Sequence, residues 1–243
     1  MGTMIKVNGS IDAYRAEPDG DIRGTVIVIH EVWGLVDHIR DVADRFAAAG
    51  YVAVAPDLLT PAGLDPAALA DLGAALADEA RRTEAQPLMR EATAPLQAPE
   101  TAARVTAALS SVFDELAATP EGDGRTAVVG FCFGGTYAYA LAAAEPRLAA
   151  AVPFYGQAGY TDEEASAIHC PILAFYGVED ARLRAGLPAL DAQLTRAGVD
   201  FTAASFDGAG HAFFNDTNPI TYRPAQAQIA WGQTLEFLAE HLE

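Results

Sequence analysis

Strands alternating with helices along 243 residues predict an α/β fold, a mostly parallel central sheet with helices on both faces. Two observations carry this. Thr25–His30 (TVIVIH) is a continuous apolar run, as expected of a parallel strand covered on both sides. Between such runs lie helix-period segments punctuated by glycine and proline.

The elements follow in order. Ile5–Arg15 is polar and fits a hairpin. After the strand Thr25–His30, Asp37–Ala49 reads as a helix closed by Gly50, and Tyr51–Ala55 as the next strand. Asp65-Pro66 is an N-cap followed by a proline at the first helical position, opening a helix to about Arg82. Gln86–Pro99 shows no clear pattern. Pro99–Ala118 is helical and stops before Pro120. Strand Thr126–Phe131, helix Phe133–Ala144, strands Ala149–Tyr155 and Ile172–Tyr176, helix Arg182–Ala197, strand Val199–Phe206 and helix Pro224–Leu242 complete the chain. The length fits a single domain, residues 1–243, able to bury about 70–75% of its unfolded surface.

Composition narrows the partners. A formal net charge of −18 argues against nucleic acid or an anionic membrane surface, because both require a basic footprint. Two cysteines, Cys132 and Cys170, are too few for a disulfide framework and point to a reducing compartment. The N-terminal MGTMIKVNGS lacks the apolar region of a signal peptide, and no apolar run reaches membrane-spanning length. A cytoplasmic protein is expected; abundant Ala and Arg with a single lysine, Lys6, fit a bacterial source. Oligomeric state is not legible. The histidines show no metal-ligand spacing, and no cofactor is expected.

The chemistry concentrates at strand ends. Gly130-Phe131-Cys132-Phe133-Gly134-Gly135 follows a β-branched run and opens a helix. This is the strand–sharp turn–helix context of G-x-S-x-G, with sulfur replacing oxygen. Glycines there let strand and helix approach closely, and the helix N-terminus favours a thiolate. A buried inert thiol is the plainer alternative, and it is the reading given to Cys170. Asp180 follows Ile172–Tyr176, and His211 follows Val199–Phe206. The order nucleophile, acid, histidine recurs in nucleophilic hydrolases, in which the histidine takes the nucleophile's proton and the acid fixes its tautomer. Asp180 also stands where it can cap the helix after it, although the triad role is the preferred reading. Backbone N–H groups of Phe133 and Val32 are the expected oxyanion donors. Trp33, Phe133, Phe213 and Phe214 are placed either to line an apolar pocket or to pack as core.

Together HEVWG (30–34), APDL (55–58), GFCFGG (130–135), YGVED (176–180) and GAGHAF (208–213) resemble the dienelactone hydrolase family, over nearly the whole chain. The resemblance implies an α/β-hydrolase fold, a Cys132–His211–Asp180 triad, and opening of small unsaturated lactones without a metal or organic cofactor, in the degradation of aromatic compounds. It also gives Glu31 a role: its carboxylate holds the resting thiol by a hydrogen bond and receives its proton when substrate enters. A plain strand-end polar residue is the alternative there. The family arginine four residues beyond the histidine, which binds the substrate carboxylate, is replaced by Asn215. The resemblance also gives Arg81 or Arg82 a part in anion binding, as another family arginine has, with Trp33, Phe213 and Asn215 as further substrate contacts. A carboxylesterase or thioesterase acting on small acyclic esters is the alternative activity. A non-catalytic ligand receptor of the same fold ranks third.

Overall fold

The computed structural model describes residues 1–78 and 80–243, apart from the side chains at positions 77, 82 and 97. Eight strands form one sheet in the order β1-β2-β4-β3-β5-β6-β7-β8. The strands are β1 (Thr3–Val7), β2 (Ile11–Ala16), β3 (Gly24–Ile29), β4 (Tyr51–Pro56), β5 (Thr126–Phe131), β6 (Ala150–Phe154), β7 (Ile172–Gly177) and β8 (Phe201–Phe206). The β1–β2 hairpin is antiparallel and joins β4 antiparallel, while all pairs from β4 to β8 are parallel. This is the α/β-hydrolase arrangement.

The five parallel strands β3 to β7 are buried at every position. Helices α1 (Asp37–Ala48), α5 (Pro99–Ala117), α6 (Phe133–Ala144), α8 (Ala181–Ala197) and α9 (Pro224–Leu242) cover them, so unbroken apolar runs are what both faces demand. No helix among the described residues is long and apolar enough to cross a membrane.

The segment 59–98 departs most from expectation. Instead of one helix to Arg82, α2 (Leu59–Ala62) precedes α3 (Pro66–Ala77), with Asp65 accepting N–H bonds from Ala67 and Ala68. A second helix, α4 (Arg82–Thr93), runs straight through the stretch that lacked a legible pattern, carrying Pro87 inside it, and ends in a 3₁₀ turn, Ala94–Gln97. Local signals failed there because proline removes a helical N–H and few residues in α4 are buried. A further short helix, α7 (Asp162–Ser166), starts with a reciprocal capping box between Thr161 and Glu164.

Candidate active site

The site lies beyond the carboxyl ends of β3, β5, β6, β7 and β8, where open parallel sheets bind ligands. Cys132 sits between β5 and α6 with φ 56° and ψ −108°, a conformation L-residues avoid. Packing enforces it. A Cβ on Gly130 would lie 2.0 Å from the Gly134 carbonyl oxygen, and one on Gly134 would lie 2.3 Å from that of Ile29. Strand and helix touch backbone to backbone, so those two positions exclude any side chain. The strained turn lifts the Cys132 side chain into a cavity of about 390 Å³, at the small end of ligand sites.

His211, in the loop after β8, points Nε2 at Cys132 Sγ, 3.1 Å away. Its Nδ1–H donates to Asp180 Oδ2 at 2.6 Å. That carboxylate accepts, so Nε2 is left to receive the thiol proton. Asp180 does both of the jobs that sequence left as alternatives: Oδ1 also accepts from Leu183 N–H at 3.3 Å, capping α8. The N–H groups of Phe133 and Val32 are directed at the same sulfur.

Glu31 is 2% exposed, and among the described residues no cation pairs with it. Oε1 accepts from the Tyr155 hydroxyl at 3.2 Å and Oε2 from the Asn215 amide at 2.6 Å. Burial outweighs these neutral donors and pushes the carboxyl up to about 7. Desolvation, then the Glu31 charge, pushes the Cys132 thiol up to about 12; the Phe133 and Val32 N–H groups and the Arg182 guanidinium pull against this. Among the described residues Sγ bonds to His211 rather than Glu31, so the expected thiol–carboxylate contact is replaced by a through-space interaction. His30 supports the turn: Nδ1–H donates to the Glu31 carbonyl at 2.6 Å and Nε2 accepts from Leu58 N–H at 3.0 Å.

Four of the expected substrate contacts, Asn215, Trp33, Phe213 and Arg81, lie elsewhere. Asn215 is buried, its Oδ1 accepting from the Thr217 N–H and hydroxyl, so its amide is committed to Glu31 instead of facing the cavity. Trp33 packs on Gly73 of α3 and borders a separate surface depression beside Asp57. Phe213 is fully buried among Phe154, Tyr155 and Phe206, where core packing claims its whole ring. Arg81 precedes α4 at the end remote from the cavity, about 12 Å of helix before Met89, and the Arg82 side chain lies outside the described residues. Phe133 and Val32 line the cavity as expected, while sequence reasoning missed Met89 and Thr93 of α4, Leu96 of the 3₁₀ turn, Thr136, Tyr137, Tyr155, Gln157 and Arg182. Arg182 had one visible signal, its place two residues after Asp180. No group of three His, Cys, Asp or Glu side chains among the described residues is arranged to hold a metal.

A cysteine at a strained strand–helix turn, with a histidine and an aspartate delivered from later strand ends of this sheet, defines the α/β-hydrolase class. The chain belongs to the dienelactone hydrolase family, whose model matches residues 11–242. It is 30% identical over 251 residues to a protein named "Putative carboxymethylenebutenolidase" from Saccharolobus solfataricus, covering 94% of this chain and 93% of that one. It is 31% identical over 252 residues to "Protein usf" of Aquifex pyrophilus, along the full length of both. Among solved structures, a "Putative Dienelactone Hydrolase" from Klebsiella pneumoniae superposes with a TM-score of 0.81 at 28% identity, covering 99% of this chain and 98% of that one. The protein is a dienelactone hydrolase-like hydrolase.

Proposed function

We propose that this protein opens small unsaturated lactones of the dienelactone type by covalent catalysis at Cys132. The observation that carries the reading is the His211 imidazole held between Cys132 Sγ at 3.1 Å and Asp180 at 2.6 Å. Sγ attacks the lactone carbonyl carbon as its proton passes to His211 Nε2. The carbonyl oxygen collects negative charge facing the Phe133 and Val32 N–H groups. On collapse, the ring C–O bond breaks, and the imidazolium returns the proton to the leaving oxygen, giving a thioester. Water, deprotonated by His211, then cleaves the thioester and restores the thiol. Asp180 stabilises the imidazolium throughout.

Glu31 sets the resting state. While it is ionised, its charge opposes thiolate formation, so Cys132 rests as the less oxidisable thiol. Substrate, by excluding water and offering the sulfur an electrophile, draws the proton onto His211, with Glu31 as a second acceptor near neutrality.

The test is chemical. Mixing enzyme with a lactone and quenching early should give a mass increase equal to one substrate on the peptide containing Cys132. An acyl group on any other residue, or full turnover in Cys132→Ala, would remove the mechanism. A panel pairing lactones with acyclic esters and thioesters of equal size separates this reading from the esterase alternative.

A further inference from the structure

The loop after β8 is held from behind by α1. Among the described residues, side chains at two adjacent positions tie segment 212–218 to other elements by hydrogen bonds. Asn215 donates its amide to Glu31 Oε2 at 2.6 Å, and Asp216 binds α1. Asp216 Oδ1 accepts from His38 Nδ1–H at 3.1 Å, and Oδ2 accepts from the Arg45 guanidinium, which also pairs with Asp41. His38 is a costly occupant of its position. It is 2% exposed, with its ring against Phe131 and Phe214, the residues that precede Cys132 and Asn215. A carboxylate only accepts, so Nδ1 carries the proton, and Nε2 is buried without a partner among the described residues. An apolar ring would pack between those phenylalanines with no orphaned acceptor, so the bond to Asp216 is what the histidine adds. Helix α1 opens at Asp37, just after the turn that carries Glu31 and Val32. One helix thus braces both Glu31 and the loop bearing its amide partner.

We infer that Asp216 is a positioning residue: clamped by His38 and Arg45, it seats the Asn215 amide on Glu31 and so controls the charge that Cys132 faces. The inference rests on the role given to Glu31 above and adds the contact that maintains it. Tyr155 after β6, Cys132 at the β5–α6 turn and Asn215 after β8 face the Glu31 carboxylate, and His211 lies against Tyr155. Of these, Asn215 and Tyr155 donate hydrogen bonds that favour the ionised carboxylate, the amide more strongly. With Asn215 displaced, Tyr155 is left as the donor, and Glu31 keeps its proton to a higher pH.

Iodoacetamide labelling of Cys132 reads that charge without turnover. The labelling rate in Glu31→Gln, divided by the rate in its Glu31 parent, should rise with pH and reach its midpoint where Glu31 ionises. Contributions common to both proteins, that of His211 included, cancel in the ratio. In an Asp216→Ala background the midpoint should move up by about half a pH unit or more, roughly threefold in proton affinity. Arg45→Met should move it the same way. Both side chains are partly exposed, 28% for Asp216 and 38% for Arg45, so neither change empties the core. The pair separates positioning from charge: acting through space, a lost anion would lower the midpoint and a lost cation would raise it. An upward shift in both backgrounds supports the clamp; a midpoint that stays put or falls in either overturns it. A ratio that is flat with pH in the wild-type background removes the role of Glu31, and the inference with it. Wild-type protein that labels as expected but hydrolyses no lactone removes the hydrolytic reading alone.

Discussion

The rim of the sheet and the helical roof over it form the two walls of one cavity, and they are built by opposite rules. On the rim, Cys132, Tyr155 and Ala212 all have positive φ, and Asn8, in the β1–β2 turn, is the only other such non-glycine residue among those described. Glu31 and Tyr155 are buried, and the turn glycines leave no room for a methyl group. In the roof, α4 packs chiefly on α3 and the 3₁₀ turn, with Leu88 half exposed and Met89, Thr93 and Leu96 half buried over the cavity. The difference teaches where accuracy is needed. Bond making tolerates errors of only a fraction of an ångström, so Cys132 sits on strained backbone that a packed core over-determines, with Tyr155 and Ala212 strained beside it. Selecting a substrate tolerates more.

The largest effect that would break this contrast is on the rate. Cys132→Ala should reduce lactone hydrolysis to background, and His211→Ala should lower kcat roughly 10³-fold, in the range of a lost general base. Both should retain the wild-type thermal midpoint within a few degrees, as read by calorimetry. A roof substitution with an equal effect on kcat would erase the distinction.

Next comes stability. Gly134→Ala puts a methyl group 2.3 Å from the Ile29 carbonyl oxygen, where only backbone movement gives relief. Denaturant unfolding should show a loss on the order of 3 kcal/mol, at the upper end for overpacking. A change under about 1 kcal/mol would show that the rim is softer than described.

Glu31→Gln tests what the buried charge costs. The folded carboxyl titrates near 7 against an ordinary 4.5, so the native state binds the extra proton between those values. Its contribution to stability is therefore complete below about pH 4.5 and lost as pH rises through 7. The variant should be more stable than wild type at pH 8, by an amount on the order of 1–3 kcal/mol, with the gap closing by about pH 5. The same substitution should speed iodoacetamide labelling of Cys132 at pH 8, because the opposing charge is gone, and have less effect at pH 6. Equal labelling of the two proteins at pH 8 would reduce Glu31 to a packing residue.

Smallest are the roof substitutions. Met89→Ala or Leu96→Ala should shift KM several-fold among esters of different acyl size, with kcat changed less than threefold and stability lowered by less than about 1 kcal/mol.

What was legible follows the same division. The parallel strands announced themselves because burial on both faces leaves only apolar residues, and the turn around Cys132 because steric exclusion leaves only glycine. The roof was opaque: α4 satisfies its own backbone whatever its side chains face, and Pro87 breaks the pattern that would reveal it. Asn215 and Arg182 show the limit most clearly. Sequence aligned Asn215 with a substrate contact, yet its amide turns inward to Glu31 across 184 positions of chain.

The amino-acid sequence alone determined the order of the strands along the chain, the placement of sulfur, carboxylate and imidazole at their ends, and the family. Those are local properties, fixed by which residues a covered strand, a crowded turn or a helix start will accept. Only the folded molecule decided which polar group faces another and which faces the cavity, since a side chain's partner across the fold depends on three-dimensional packing that no local pattern encodes.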